Sequence, residues 1–280
     1  MDWLQALILG IIQGLTEFLP VSSSGHLIIG KELLGLKITD NIAFETIVHC
    51  ATVLSTITVL RKEIATLLLK LFKIQWNPET QYIGMILLSM IPVMIVGLFF
   101  KKTIENLFGE GLTLVGSMLL VTAGLLLVAS LRGTRNPTPV TNDETPKAKS
   151  KKQKSLSWGT AFLIGLAQAI AVLPGLSRSG TTIATGLLAG VKKEEVAKFS
   201  FLMVLIPILG ETGLEALKGE FSTAVTGIPI SSLLIGFVAA YICGCFACKF
   251  MIALVKRANL LWFALYCSIA GIIALIYSLC

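Results

Sequence analysis

The composition of this 280-residue chain excludes an ordinary soluble protein. Only 14% of its residues are charged and 55% are apolar, with a mean hydropathy of +0.84, whereas soluble domains are roughly 25% charged. The net charge of +7 does not indicate nucleic-acid binding, because the basic residues lie in short runs between apolar segments and are explained by membrane topology. We therefore predict an integral membrane protein that has the lipid bilayer as its surroundings and no nucleic acid as a partner.

The apolar part of the chain divides into two interrupted segments and six continuous runs. Prolines, serines and glycines interrupt the segments 3–35 and 158–190. Irregular backbone at membrane depth is stable only where it is buried in protein or faces water, so both segments are predicted to be re-entrant helical hairpins. Each continuous run is long enough to cross about 30 Å of hydrocarbon as a helix. The six predicted spans are 43–60, 83–100, 112–131, 199–217, 231–250 and 260–279.

The distribution of Lys and Arg predicts how the spans are oriented. Of 23 such residues, 17 lie in one set of loops and 5 in another, and the two sets alternate across the six spans. Because cytoplasmic loops are enriched in Lys and Arg, the richer set is predicted to be cytoplasmic and both termini to lie outside. The richer set is 61–80, 132–157, 191–198 and 249–259, and the poorer set is 31–42, 101–111 and 218–230.

The two halves of the chain resemble each other. Three residues recur at a constant offset of 155: Gly25, Gly35 and Phe44 reappear as Gly180, Gly190 and Phe199. Coincidence between two apolar sequences is the alternative explanation. If the halves are repeats, each contributes one hairpin and three spans, and an odd number of crossings places them in opposite orientations.

The predicted architecture follows from this division. It is an all-α polytopic membrane protein with six transmembrane helices and two re-entrant helical hairpins, arranged as an inverted-topology repeat. The first repeat is 1–131, a flexible basic cytoplasmic linker is 132–157, and the second repeat is 158–280. Repeats of this kind have their binding site near the membrane midplane, where the broken helices meet.

The first hairpin contains a polar cluster between apolar runs. A buried polar cluster is costly to desolvate, so it indicates a functional site. Gln13 and Glu17 are four residues apart and share a helix face, and Pro20 is expected to end that helix. The turn that follows is suited to the start of a new helix, whose free N–H groups would bind an anion. Its residues are Ser22, Ser23, Ser24, Gly25 and His26.

The second hairpin contains an isolated arginine. Arg178 is the only basic residue between Lys154 and Lys192. An arginine at membrane depth costs about 2.5 kcal/mol or more, so an anionic group is expected to face it, and its planar guanidinium suits phosphate oxygens. If the two hairpins meet, they bring together an arginine, several hydroxyls, a carboxylate and a histidine. We predict a phosphate site with a nucleophile and acid or base groups beside it.

The two motifs resemble a known family. The sequences from Gln13 through Glu17 to His26, and from Pro174 through Arg178 to Gly180, resemble undecaprenyl pyrophosphate phosphatase of the bacitracin-resistance type, and the resemblance covers nearly the whole chain. It implies a bacterial plasma-membrane hydrolase with a site opening to the outer face. Its polyprenyl diphosphate substrate would be undecaprenyl diphosphate, converted to the monophosphate that carries peptidoglycan precursors.

The resemblance also implies roles for individual residues. Ser23 matches the proposed nucleophile, Arg178 the diphosphate clamp, and Glu17 a carboxylate that handles a proton or a divalent cation, Mg²⁺ or Ca²⁺. His26 matches a residue argued to be a general base or a structural partner. The first position of the carboxylate pair is Gln13 here, which weakens a metal site of two carboxylates. The substrate-binding residues are predicted to be Gln13, Ser22, Ser24, Gly25, Ser177, Ser179, Gly180 and Thr182.

Several alternatives stay open from the sequence. Either Glu17 or His26 would serve as the base for Ser23, and water would attack phosphorus directly if Ser23 only positions it. Glu45 and His49, one helical turn apart, either line the cavity or satisfy each other. A transporter of an anionic polyprenyl lipid is the alternative function, because inverted repeats with broken helices are typical of transporters. A homo-oligomer is compatible with the sequence, which does not fix the oligomeric state.

Overall fold

The computed structural model describes residues 1–36, 42–73, 75–108, 111–134, 155–218, 227–257 and 259–279. These residues form thirteen helices and contain no strand, which confirms the all-α prediction for the described part of the chain. The helices of the first half are α1 (Trp3–Thr16), α2 (Ser23–Leu33), α3 (Ile42–Val59), α4 (Arg61–Leu71), α5 (Pro78–Phe99), α6 (Lys101–Phe108) and α7 (Leu112–Thr134). Those of the second half are α8 (Trp158–Ile170), α9 (Arg178–Leu188), α10 (Lys193–Met203), α11 (Leu205–Leu217), α12 (Ile230–Arg257) and α13 (Leu261–Leu279).

Five segments of the described chain are long and apolar enough to cross a membrane, and a sixth qualifies if α3 and α4 count as one bent span. This confirms a multi-pass membrane protein. The fourth span differs from its prediction: it covers Lys193–Leu214, six residues earlier than expected, with a turn at Val204 between α10 and α11. The first turn of α10 contains Glu194 and Glu195 after Lys193, and this charged run hides the start of the helix in the sequence.

The predicted cytoplasmic loop 61–80 contains a helix. After Val59 the chain bends by 78° into α4, which combines basic residues with exposed apolar side chains. A helix that crosses the direction of the span and carries both kinds of side chain suits the surface of a bilayer, where its apolar face contacts lipid. The predicted loop did not include this helix, since a segment as polar as Arg61–Leu71 is not expected to span a membrane.

Each predicted hairpin is a short helix, a break and a second helix. Asp2 caps α1 through a capping box with Gln5, and Ser157 caps α8 by accepting a hydrogen bond from the Thr160 N–H group. With 14 and 13 residues, α1 and α8 are too short to cross about 30 Å of hydrocarbon. Both breaks contain a proline, as expected for the end of each first helix.

The structure extends the correspondence between the two halves. Ser22 and Ser177 cap α2 and α9 in the same way, accepting hydrogen bonds from Gly25 and Gly180 at 3.2 and 3.0 Å. Gly35 and Gly190 end these helices with φ of +67° and +89°. The offset of 155 also relates Trp3 to Trp158, Gly10 to Gly165, Gln13 to Gln168 and Ser24 to Ser179. These equivalences support the repeat, whose domain boundaries and opposite orientations stay predictions.

Helix α7 continues to Thr134, and most of the predicted linker lies outside the described residues.

Close backbone contacts hold the hairpins in the bundle. Helix α1 packs against α12, and the equivalent helix α8 packs against α5. A Cβ atom added at Gly10 would lie 2.4 Å from the Gly236 carbonyl oxygen, and one at Gly165 would lie 2.3 Å from the Ser89 carbonyl oxygen. Only glycine fits at both positions, so the first helices of the two hairpins are held by equivalent contacts.

Candidate active site

The breaks of the two hairpins meet inside the bundle, as the sequence predicted. The Ser179 hydroxyl in the second hairpin donates to the Leu19 carbonyl oxygen in the first at 2.9 Å. A Cβ atom added at Gly25 would lie 3.2 Å from the Cα atom of Gly175. Both glycines therefore allow the two breaks to approach each other closely.

Two helix N-termini contribute their first residues to the site. Ser23 is the first residue of α2, and Arg178 is the first residue of α9. The serine caps satisfy the third N–H group of each helix, while the first-turn N–H groups before it have no partner within the helix. Such groups, together with the positive end of the helix dipole, favour an anion.

Glu17 is the centre of the site, and its side chain is only 5% exposed. Its Oε2 atom accepts hydrogen bonds from Ser23 Oγ at 2.6 Å and from Gln13 Nε2 at 2.7 Å. Its Oε1 atom pairs with Arg178 Nη2. The predicted carboxylate, nucleophile and clamp are therefore in direct contact, although Ser23 and Arg178 are separated by most of the chain.

The two histidines have different environments. His49 of α3 has its Nε2 atom 3.7 Å from Glu17 Oε2, while its Nδ1 atom bonds the Glu45 main-chain oxygen at 2.8 Å. The Glu45 carboxylate pairs with Lys31 at 2.5 Å. The sequence left open whether Glu45 and His49 line the cavity or satisfy each other. In the structure His49 lies beside Glu17, whereas the Glu45 side chain pairs with Lys31. His26 bonds elsewhere: its ring nitrogens lie 2.7 Å from the Ser22 carbonyl oxygen and 2.7 Å from the Tyr266 hydroxyl.

Most of the predicted substrate-binding residues have partners within the protein. Ser22 and Ser177 are helix caps, and each lies 3.4 Å from the second hydroxyl of its own motif, Ser24 or Ser179. Thr182 is fully buried and bonds the Ser200 hydroxyl at 2.6 Å. Gly25 and Gly180 supply the capped N–H groups. The structure thus gives these residues a role in building the site, and direct contact with substrate stays a prediction for them.

The donors at the site suit a divalent cation only in part. Among the described residues, no group of three or more His, Cys, Asp and Glu side chains is arranged to hold a metal ion. Glu17 is nevertheless joined by Gln13 Oε1, a buried acceptor with no hydrogen-bond partner. Two hard oxygen donors fit Mg²⁺ or Ca²⁺ if the substrate supplies further oxygens.

The cavity beside Glu17 and Arg178 is small. Its volume is about 10 Å³, close to that of one water molecule. A larger cavity of about 610 Å³ lies between α4, α5 and α10, where Lys62, Lys192 and Lys198 are accompanied by three glutamates. We assign the chemistry to the smaller cavity, because Glu17 and Arg178 line it and the Glu17 carboxylate accepts the hydrogen bond of Ser23.

The fold and the site together define a class: a multi-pass helical membrane protein with a serine, a carboxylate and an arginine arranged for phosphoryl chemistry. Residues 6–273 match the family model described as bacitracin resistance protein BacA. The chain belongs to this family.

Curated relatives of similar length agree with this assignment. A protein of Parabacteroides distasonis named undecaprenyl-diphosphatase is 53% identical over 276 residues, which cover 98% of both chains. One of Bacteroides fragilis with the same name is 52% identical over 99% of both chains. A more distant relative from Halothermothrix orenii, also so named, is 35% identical and covers 99% of this chain and 98% of its own.

Proposed function

We propose that this protein hydrolyses undecaprenyl diphosphate to undecaprenyl phosphate and inorganic phosphate. This reaction recycles the carrier lipid of peptidoglycan synthesis and confers resistance to bacitracin. The observation that carries the proposal is the contact of Ser23 Oγ with Glu17 Oε2 at 2.6 Å, on the same carboxylate that binds Arg178. A hydroxyl, a proton acceptor and a phosphate-binding cation are thereby within reach of one another.

Arg178 is the residue that admits the substrate. In the structure it pairs with Glu17, and a cavity of about 10 Å³ is too small for a diphosphate. The substrate therefore enters as the guanidinium turns from Glu17 to the phosphate oxygens, which it binds in a bidentate manner. This exchange leaves Glu17 Oε2 bonded to Ser23, as a base requires.

The geometry supports a covalent mechanism. The Ser23 oxygen attacks the terminal phosphorus, its proton passes to Glu17 Oε2, and the bond from phosphorus to the bridging oxygen breaks to release undecaprenyl phosphate. Water then attacks the phosphoserine, the bond from phosphorus to the Ser23 oxygen breaks, and Glu17 returns its proton to that oxygen. Inorganic phosphate leaves as dihydrogen phosphate, which carries both protons of the attacking water. Direct attack by water, with Ser23 positioning the phosphate, gives the same products and is the alternative for this step.

We also propose that a divalent cation takes part, held by Glu17, Gln13 Oε1 and the oxygens of the diphosphate. Such an ion would neutralise charge on the phosphoryl oxygens. The support is the chemistry of the two protein ligands. The Glu17 carboxylate and Gln13 Oε1 are both oxygen ligands, and Gln13 Oε1 accepts no hydrogen bond within the protein. Removing the ion with a chelator should then lower phosphate release, and adding Mg²⁺ or Ca²⁺ should restore it.

The test is phosphate release from undecaprenyl diphosphate by the purified protein in detergent. Wild type should release phosphate, and Ser23→Ala and Glu17→Gln should lose nearly all of it while still binding the lipid. Trapping of a phosphoserine in wild type, absent in Ser23→Ala, would select the covalent route. A folded wild type that binds the lipid without releasing phosphate would refute the hydrolase.

The larger cavity favours one second function, transport of an anionic polyprenyl lipid. Its volume is about 610 Å³, and its three lysines and three glutamates lie in segments predicted to be cytoplasmic, on the side opposite the proposed site opening. A transporter would move labelled undecaprenyl phosphate between the leaflets of a vesicle, and would do so in Ser23→Ala as well as in wild type.

We propose in addition that both termini and the site opening face outside the cytoplasm. The support is the alternating distribution of basic residues. A protease site inserted within 132–157 should be cut only from the cytoplasmic side, in inverted membrane vesicles and not in intact spheroplasts. Cutting in spheroplasts alone would reverse the orientation.

A further inference from the structure

The residue before the proposed nucleophile has a strained backbone. Ser22 has φ of 69° and ψ of 94°, and it is the only non-glycine residue with positive φ in the described part of the chain. A side chain in this region costs free energy, so surrounding contacts must hold it there. Because Ser22 precedes Ser23 directly, whatever holds this peptide also sets the position of the Ser23 side chain.

The strain occurs in only one of the two equivalent caps. Ser177 caps α9 as Ser22 caps α2, yet its φ of −69° and ψ of 112° are ordinary. Four residues after Ser22 the chain has His26, and at the equivalent position of the other half it has Thr181, whose hydroxyl has no hydrogen-bond partner. The strained cap and the histidine are thus found together, and only in the half that carries the nucleophile.

His26 holds the strained peptide directly. The Ser22 carbonyl oxygen lies 3.1 Å from the main-chain nitrogen of His26, from which it accepts a hydrogen bond. It also lies 2.7 Å from the ring nitrogen Nδ1 of the same residue. Since a carbonyl oxygen cannot donate, Nδ1 must carry a proton. In the neutral ring the lone pair then lies on Nε2, which is 2.7 Å from the Tyr266 hydroxyl. That lone pair is occupied by the Tyr266 hydroxyl.

Helix α13 contacts the first hairpin on both sides of the turn that contains Ser22. Tyr266 bonds His26, and the two rings are stacked with centroids 5.6 Å apart and planes 10° apart. The next residue, Cys267, donates from Sγ to the Pro20 carbonyl oxygen at 3.5 Å. Two neighbouring residues of one helix therefore contact the chain before and after Ser22.

We propose that Tyr266 and His26 form a positioning pair, in which the Tyr266 hydroxyl fixes the Nδ1–H tautomer of His26 and His26 holds the strained Ser22 peptide that aims Ser23. This inference rests on the proposed hydrolase function. It makes His26 a positioning residue and leaves proton transfer to Glu17, and it gives Tyr266 a part in the reaction.

Kinetics of two pairs of variants test the proposal. Asparagine places its amide N–H group close to the position of Nδ1–H but has no basic nitrogen, so His26→Asn should recover most of the activity that His26→Ala loses. His26→Ala should lower kcat about 100-fold with little change in KM, as expected for a misplaced nucleophile. Tyr266→Phe should lower kcat about fivefold, the effect of losing one hydrogen bond. Tyr277→Phe, at an exposed tyrosine three turns further along α13, is the matched control and should match wild type.

A spectroscopic measurement separates this proposal from the proposed function. The chain has only two histidines, so ¹⁵N-histidine labelling gives two imidazole rings, and the ring of His26 is identified by its persistence in His49→Gln. Its Nδ1 should be protonated, and its Nε2 resonance should move downfield in Tyr266→Phe but not in Tyr277→Phe. If this holds and wild type releases no phosphate, the proposed function fails while the hydrogen-bonded pair stands. Equal loss of kcat in His26→Asn and His26→Ala, or a protonated Nε2 with bare Nδ1, would overturn the positioning pair.

Discussion

Ser23 and Arg178 occupy equivalent positions in the two halves of the chain, and their side chains contact the same carboxylate. They are 155 residues apart, each is the first residue of the second helix of its hairpin, and each bonds one oxygen of Glu17. The proposed nucleophile and the proposed clamp are thus products of one local structure. Both are the first residues of helices whose N-termini favour an anion, and this position carries a hydroxyl, Ser23, in one half and a cation, Arg178, in the other.

Two substitutions of Arg178 should distinguish the contribution of its positive charge from that of its planar guanidinium group. Arg178→Ala should lower phosphate release at least about 100-fold, because it removes the cation that stabilises phosphoryl charge. Arg178→Lys should recover only part of this loss, since an ammonium group cannot bind two phosphate oxygens as a planar fork does. The measurement is kcat and KM with undecaprenyl diphosphate, with Arg61→Ala at an exposed position as the control. Full activity in Arg178→Lys would show that charge alone suffices.

Gln13 offers a gain-of-function test for the metal. Gln13→Glu would place a second carboxylate beside Glu17, where the amide now donates to Glu17 Oε2 at 2.7 Å. Two adjacent carboxylates repel each other and favour a divalent cation. We expect the variant to bind Mg²⁺ or Ca²⁺ more tightly than wild type and to lose more of its activity to a chelator, as measured by calorimetry and phosphate release. Equal chelator sensitivity in the two proteins would argue against a cation at this carboxylate.

His49, which the sequence left either lining the cavity or paired with Glu45, provides a third test. It lies 3.7 Å from Glu17 Oε2 and is held by its own Nδ1 contact to the Glu45 main chain. His49→Gln keeps a polar side chain of similar reach, so we expect phosphate release to fall by about tenfold or less, well short of the loss in Glu17→Gln. A loss as large as that of Glu17→Gln would assign His49 an essential role in proton transfer.

Local chemistry allowed part of this site to be predicted from the sequence. The spacing of Gln13 and Glu17 placed both on one helix face, and the structure confirms this with a direct hydrogen bond. An isolated Arg178 required an anionic partner, and the structure shows that partner to be Glu17. Both inferences depended on periodicity or on the cost of burying a charge, which a sequence displays directly.

Contacts between distant helices were the part that the sequence concealed. His49 lies on a different helix from Glu17, and Tyr266 is 240 residues from His26. Nothing in the pattern around Tyr266 distinguishes it from another aromatic residue near a membrane surface. The signal that could have been found was the full set of equivalent residues at the offset of 155, because it marks His26 and Thr181 as a position where the two halves differ.

Lys31 should be more important for stability than any exposed basic residue of the described chain. It is 1% exposed and pairs with Glu45 at 2.5 Å, so Lys31→Met would leave a largely buried carboxylate without its cation. Breaking a buried pair in this way costs about 3–5 kcal/mol, and we expect a loss near the lower figure because Glu45 is 16% exposed. Denaturant unfolding in detergent would measure it. Lys70→Met, at an exposed pair with Glu79, should cause no measurable change, and Lys31→Met combined with Glu45→Leu should recover most of the loss.

The equivalent glycines of α1 and α8 should respond equally to substitution. A Cβ atom at Gly10 or Gly165 would lie within 2.4 Å of a main-chain oxygen of a neighbouring helix, so alanine must push two helices apart. Overpacking of this kind costs about 1–3 kcal/mol. Gly124→Ala in α7 is the matched control, because a Cβ atom there meets nothing within 4 Å and alanine is the better helix former. The apparent melting temperature in detergent should fall in Gly10→Ala and Gly165→Ala and hold or rise in Gly124→Ala. A fall in only one of the two would show that the halves do not pack their first helices in the same way.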